Sequence, residues 1–312
     1  MYFRKKFEDL DQMISSIKGW DLDFIPLQSG NFTSQITQMN LKHTIIGEAV
    51  FDNRVEQRGS TPDGYYTFVI PKDSLVNYFW RSYELKGNMI SLFPPNGELY
   101  SITNETFRIY TVSFTEEIVQ TACLIMSCSY TEEQLKGEFV WEVSQDMLRK
   151  IRDQTMALIN KRAASADFDS YYEELDLLLL ILDSLKTFGN SGSKRTDENL
   201  SEIDIFLQRI RSVPTYETIQ LHNLYESSQR SERYLQYQFK KRFGISPVKY
   251  IKNLKIMRVY KNLNDPINKE SVQEIAMANG FWHLGQFASD YRKYIGELPS
   301  STRKRILNGQ NY

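Results

Sequence analysis

At 312 residues the chain is longer than one hydrophobic core usually organises, so two domains are expected. Its 38 Lys+Arg nearly balance its 39 Asp+Glu, and a net charge of -1 taken whole speaks against a nucleic-acid binder, a membrane-surface protein or an acidic tail. Apolar residues at 41% and charged residues at 25% exclude a disordered chain, and 13% aromatics can fill a substantial core.

The N-terminal MYFRKKFEDLDQM is basic but has no apolar run or cleavage signal behind it. From about Leu41 to Phe114, short apolar runs alternate with turn chemistry: HTIIGEAVF, GYYTFVIP, LVNYFWRSY, MISLF and FRIYTVSF. Thr61-Pro-Asp-Gly64 and Pro94-Pro-Asn-Gly97 are strong turn signals between them. Such spacing predicts a sandwich or small barrel over about 20–115. From about Thr131 the period changes, and Glu132–Arg162 and Asp167–Lys186 carry helix-compatible spacing. The second segment has Phe168, Tyr171, Tyr172, Leu175 and Leu177–Leu182 around most of its circumference, so it wants partners on two sides. Two readings stand open: burial against its own barrel, or a homodimer seam within 131–186. Neither this run nor any other is long and apolar enough to predict a membrane span.

Residues 187–199 (TFGNSGSKRTDEN) are rich in Gly, Ser, Asn and charge without periodicity, which reads as a linker. The charge splits across it. Residues 201–312 hold 18 Lys/Arg and 10 Asp/Glu, net +8, while residues 1–200 hold 20 and 29, net -9. The expected domains are therefore 1–186, acidic, and 200–312, basic.

The basic domain reads as helical almost throughout. Ser271 with Glu274 is a capping box, Val272, Ile275 and Ala276 give a buried face, and Gly280 supplies a left-handed residue to end the helix. A short turn leads to a second helix, about Leu284 to Tyr294, with Phe287 and Tyr291 inward one turn apart. This is a helix-turn-helix, whose second helix enters a DNA major groove. His283, Gly285, Gln286, Ala288, Ser289 and Arg292 then face outward; Gln suits adenine edges, and small residues let the helix sit deep. A similar unit lies about fifty residues upstream. Thr218–Tyr225 is its short helix and Glu226–Arg230 its turn. Ser231 caps a helix to Phe243, with Leu235 and Phe239 inward and Arg233, Gln236, Tyr237 and Lys240 outward. Gly244 ends that helix and Pro247 is expected to block a restart. Val248–Leu263 reads as one long helix, with Lys249, Lys252, Lys255, Arg258 and Lys261 wrapping a broad flank. A net +8 with two such units points to DNA binding.

Tyr234–Pro247, Tyr250-Ile251, Ile275-Ala276, Gly280–Phe287, Tyr291-Arg292 and Gly296–Ser300 together resemble the DNA-binding domain of AraC/XylS-type transcription regulators, over about Asn199 to Leu307. The resemblance implies two helix-turn-helix units joined by a long helix and reading two successive major grooves. It implies Arg233, Gln236, Tyr237 and Lys240 as the first set of readers, and His283, Leu284, Gly285, Ala288 and Ser289 as the second, Leu284 being equally able to pack inward. The departures are Tyr225 where a small Ala is usual, Gln229 where the turn usually has Gly, and Lys255 where Arg is common. The strand-rich half is similar to the jelly-roll (cupin-like) barrel such regulators carry, with flanking helices for dimerisation. The expected fold is thus α+β multidomain, a β-barrel followed by an all-α head. The expected partners are double-stranded DNA, RNA polymerase, a small-molecule effector of unknown identity and a second copy of the chain, with no membrane and no cofactor. Tyr65, Tyr66, Phe68, Phe79 and Trp80 are candidates for an effector pocket or simply for core.

Enzyme readings fare poorly. A metal-holding barrel needs several histidines, but His222 and His283 belong to the basic domain, leaving His43 alone. Cys123 and Cys128 fit neither a CxxC nor a zinc spacing and suit a reducing cytosol. Ser191–Lys194 lacks the leading glycine and strand of a phosphate loop.

Overall fold

A computed structural model describes all residues except 31, 82, 128–134, 166–168, 188–201, 213–220, 227, 229 and 308–312. Its contacts divide the chain into two units. One is Met1–Phe24, Thr33–Asn53 and Gln57–Asp197; the other is Ile25–Phe32, Arg54–Glu56 and Glu198–Tyr312. The linker expected at 187–199 lies, from residue 188 on, outside the described residues.

In the N-terminal part, β1 (Tyr2–Phe7), β3 (Ser34–Asn40), β4 (Thr44–Phe51), β11 (Phe107–Thr115), β6 (Tyr65–Pro71), β9 (Met89–Phe93) and β12 (Phe139–Glu142) lie side by side in that order as an antiparallel sheet. A second sheet runs β2 (Asp21–Pro26), β5 (Val55–Ser60), β10 (Glu98–Ile102), β7 (Asn77–Trp80), β8 (Tyr83–Lys86). The five apolar runs of the sequence hold β4, β6, β7, β9 and β11, and both turn signals fall between strands, with Gly64 at φ +74 and Asn96 at φ +58. Alternation on β11 sorts two environments. Tyr110, Val112 and Phe114 join a core shared with helices, while Ile109 and Thr111 face a cavity between the sheets.

That helical layer is α2 (Glu116–Met126), α3 (Gln145–Ala164) and α4 (Tyr171–Thr187); a short α1 (Leu10–Ser16) follows β1. Leu177, Leu178, Ile181, Leu182 and Leu185 of α4 are buried in the same core as Trp141, Leu148 and Ile151. Most of the greasy circumference is thus satisfied within the chain; Tyr172 remains exposed and Phe168 lies outside the described residues. The helix expected over Glu132–Arg162 is shorter than its spacing predicts. Phe139–Glu142 pairs with β9 (Val140 opposite Ser91), and the helix begins at Gln145, its first turn capped by the Ser144 side chain. β9 offers an open edge, and a long-range ladder of this kind overrides local periodicity.

Two buried carboxylates hold this region. Glu174, in the first turn of α4, accepts hydrogen bonds from the His43 backbone N–H (3.0 Å), from Thr44 Oγ1 (2.6 Å) and from the Ser170 hydroxyl. His43 is accordingly a buried corner residue between β3 and β4. Glu48, on β4, accepts from Thr37 (2.8 Å) and Arg4 (3.0 Å) and pairs with Lys72. Burial alone would raise the Glu48 carboxyl, but the hydrogen bonds from Lys72 and Thr37, with the charges of Lys72 and Arg4, hold it below its ordinary 4.5. Because the folded value is depressed, its contribution is complete well above 4.5 and is lost as pH falls through the lower folded value. The difference in melting temperature between wild type and Glu48→Gln is therefore expected to be widest at neutral pH and to close as the medium is acidified below 4.5. Thermal scans from pH 7 downward check this; a constant difference would contradict it.

The second unit is built on α5 (Glu202–Ser212), α6 (Leu221–Glu226), α7 (Glu232–Phe243), α8 (Pro247–Asn264), α9 (Val272–Ala278), α10 (Leu284–Ile295) and α11 (Pro299–Leu307). Serines start three of them: Ser231, Ser246 and Ser271 each accept a hydrogen bond from the backbone N–H three residues on. Ser271 and Glu274 form the full reciprocal capping box. Gly244 (φ +73) and Gly280 (φ +79) take the left-handed conformation after α7 and α9. Pro247 departs from expectation: it opens α8 rather than blocking a restart, because the first helical position needs no N–H donor and favours proline's fixed φ.

Candidate nucleic-acid interface

Each of α7 and α10 has an apolar inner face fixed by a pair one turn apart. Leu235 and Phe239 are fully buried on α7, as are Phe287 and Tyr291 on α10. Phe239 lies at the centre of an aromatic cluster, 4.3 Å from Phe243, 5.3 Å from Tyr250 and 6.2 Å from Phe206 between ring centroids. Tyr291 is locked from the far side, its hydroxyl 2.9 Å from Thr302 on α11.

With those faces inward, Arg233, Gln236, Tyr237 and Lys240 of α7 are exposed, as are His283, Gly285, Gln286, Ser289 and Arg292 at α10. Leu284 and Ala288 are half-buried, so Leu284 takes neither extreme that its position allowed. Two of these polar groups are already engaged. Gln236 donates to Glu232 (2.9 Å). Gln286 donates to Asp290 (3.1 Å), which also pairs with Lys252 of α8 at 2.5 Å. Burial would raise the Asp290 carboxyl, but Lys252 and Gln286 outweigh it and hold it below the ordinary range.

The basic flank of α8 divides. Lys249 and Lys261 are exposed, while Lys252, Lys255 and Arg258 are half-buried. Burial, followed by the neighbouring charge of Arg258, lowers the Lys255 ammonium from its usual value. Its Nζ lies beneath the α9–α10 turn, 3.1 Å from where a Cβ on Gly280 would stand. Lys255 therefore supports the turn rather than facing outward.

The first unit absorbs its unusual residue. Tyr225 stacks on Phe206 of α5 (5.3 Å, interplanar 12°), so its bulk is taken up by the preceding helix. Gln229 and residues 218–220 of the expected first helix lie outside the described residues. Arg303 and Thr302 were not legible as structural residues. Arg303 donates to the carbonyls of Leu263, Asp265, Asn268 and Glu270, closing the loop between α8 and α9. A lone Arg in a helix carries no local mark of such a role.

A family model, the helix-turn-helix domain, matches residues 226–305. The XylDLEGF operon transcriptional activator of Pseudomonas putida is 44% identical over 88 residues, covering 28% of this chain and 27% of that protein. The XylDLEGF operon transcriptional activator 2 of the same organism is 43% identical over 86 residues, covering 27% of this chain and 55% of that protein. The chain thus spans less than two thirds of either relative. Among solved structures, the AraC-like transcriptional activator CuxR aligns with 83% of this chain and 95% of its own, at a TM-score of 0.42 and 10% identity. The head is a helix-turn-helix domain. Over that stretch it is similar to these transcriptional activators.

Proposed function

We propose that this chain is a sequence-specific DNA-binding transcription activator. Its 200–312 head reads two major-groove boxes through α7 and α10. The observation that carries this is the pair of helices, each pinned by two buried apolar residues and each presenting polar, small or cationic side chains outward, in a region of net +8. Arg233, Gln236, Tyr237 and Lys240 form one reading surface. His283, Leu284, Gly285, Gln286, Ala288, Ser289 and Arg292 form the other. His283 makes no side-chain cap on α10, which leaves the first-turn amides open to a DNA phosphate.

In this reading 1–186 is the sensing and dimerisation domain and 187–199 the linker. The two sheets are the faces of a jelly-roll barrel, and self-association runs through helices in 131–186. RNA polymerase is the further partner and the cytoplasm the place of work. The cavity between the sheets favours a sensor over a module that only binds proteins.

Full-length protein, its site selected from a random duplex pool, tests the proposal by fluorescence anisotropy. Binding is expected to fall steeply with salt. Lys240→Ala should weaken all sequences alike and lower the salt slope by about 1, whereas Ser289→Ala should relax preference at one base step. Absence of salt-dependent duplex binding by the full chain would overturn the proposal.

A further inference from the structure

The second unit is not confined to the C-terminal third of the chain. Ile25–Phe32 and Arg54–Glu56 belong to it as well. The two segments hold each other, the Leu27 N–H donating to the Arg54 carbonyl at 2.9 Å. From there they touch α5, α7, α8 and α10 or their ends. Glu56 is fully buried, accepts from the Tyr250 hydroxyl of α8 (2.6 Å) and pairs with Arg211 of α5. The Tyr294 hydroxyl, in the last turn of α10, donates to the Pro26 carbonyl, which Asn253 of α8 also reaches at 3.4 Å. Burial, then the charge of Glu56, holds the Tyr294 phenol well above its ordinary value, so it remains a donor. The Arg54 guanidinium lies against Gly244 at the end of α7, where a Cβ would collide with it.

These contacts land on the supports of both reading helices. Tyr250 packs on Phe239 and Phe243 of α7, at 5.3 and 5.0 Å between ring centroids. Tyr294 follows Tyr291 by three residues, on the buried face of α10. A buried carboxylate shared by a guanidinium and a phenol is costly to break, because removing one partner leaves the other desolvated and unpaired. The same short pieces of backbone thus grip both helix-turn-helix units at once. They grip the inner faces. Gly30 borders a groove along α10 beside Ser289 and Arg292, yet both of those side chains stay exposed. That is the arrangement of a brace, not of a lid over the reading surface.

We infer that Glu56, with the carbonyl of Pro26, is a positioning element of the DNA reader: it fixes α7 against α10, and with them the spacing of the two boxes that the chain accepts. This rests on the DNA-reading role proposed above and adds a selectivity that no base contact supplies. One base pair more or less between the boxes turns the second by about 36° and shifts it by about 3.4 Å. A braced pair of helices resists that change; a loose pair follows it.

Fluorescence anisotropy of the full-length protein tests this on its selected duplex and on the same duplex with one base pair added or removed between the boxes. Wild type is expected to lose at least about tenfold in affinity at either altered spacing, and Glu56→Gln about threefold or less, because preorganisation is what the variant gives up. Tyr294→Phe keeps the ring and removes the donor to Pro26. It should narrow the spacing preference in the same direction, and it carries the test if Glu56→Gln does not fold. Glu48→Gln removes a buried carboxylate from the other unit and should keep the wild-type spacing preference, although it lowers stability. A second arm uses the full chain without DNA. Hydrogen exchange should quicken about tenfold at the C-terminal ends of both α7 and α10 in Glu56→Gln, and at neither in Glu48→Gln. Absence of wild-type binding would overturn the DNA-reading role and this inference together. Wild-type binding with a spacing ratio unchanged in Glu56→Gln and Tyr294→Phe would overturn this inference alone. So would exchange that quickens at one helix only or at neither, or an affinity that rises equally at every spacing, the mark of a lid.

Discussion

Phe239→Ala is expected to cost the head about 3–5 kcal/mol, the range for deleting a fully buried phenylalanine. The ring has three aromatic neighbours drawn from three helices: Phe206 of α5, Phe243 of α7 itself and Tyr250 of α8. Those neighbours are themselves buried, so the void cannot collapse easily and the upper part of the range is expected. DNA binding should be lost with stability, because Phe239 fixes the rotation of α7 and with it the outward aim of Gln236 and Lys240. Tyr237→Ala on the opposite, exposed face is the matched control, expected to move stability by less than about 0.5 kcal/mol. Urea unfolding of both variants by circular dichroism checks the pair. A Phe239→Ala midpoint equal to wild type would contradict it.

Arg303→Met is expected to cost about 2–4 kcal/mol. The loss comes from four backbone carbonyls that share one guanidinium: Leu263 and Asp265 at the end of α8, and Asn268 and Glu270 before α9. Methionine retains the hydrocarbon stem but no donor, and the carbonyl of Leu263 is then buried beside an apolar group. Arg303→Lys should recover less than half, because a compact ammonium cannot span a fork of acceptors. The same unfolding experiment measures it, and faster hydrogen exchange across 264–271 should accompany it. Full recovery by lysine would mean that charge, rather than the planar fork, closes the loop.

The helical head was largely legible because its signals are local. Ser231 and Ser271 sit beside the helices they start, Gly244 and Gly280 beside those they end, and inward pairs four residues apart mark the buried faces. Pro247 was misread because the same residue ends one helix and opens another, and only the Ser246 cap before it tells which. The sheet was legible where apolar runs stood between turn residues, as on β6, or alternated, as on β11. β1 was hidden because Arg4, Lys5 and Lys6 mask its alternation, and β12 because its strand state depends on the distant edge of β9. The cavity was least legible. Its character depends on which alternate residues of nine separate strands turn inward, and on Glu48 being neutralised by Arg4 and Lys72, 44 and 24 residues away.

β1 has a consequence for how copies of this chain meet. Among the described residues it is an outer strand of the seven-stranded sheet, and an outer edge of this kind can recruit a neighbour's strand. Three cations stand consecutively at its centre, so two copies zipped edge to edge would bring six like charges together, Arg4 being partly neutralised by Glu48. The strand thus refuses its own twin. This guards the protein against aggregation through that edge and leaves any ordered self-association to other faces.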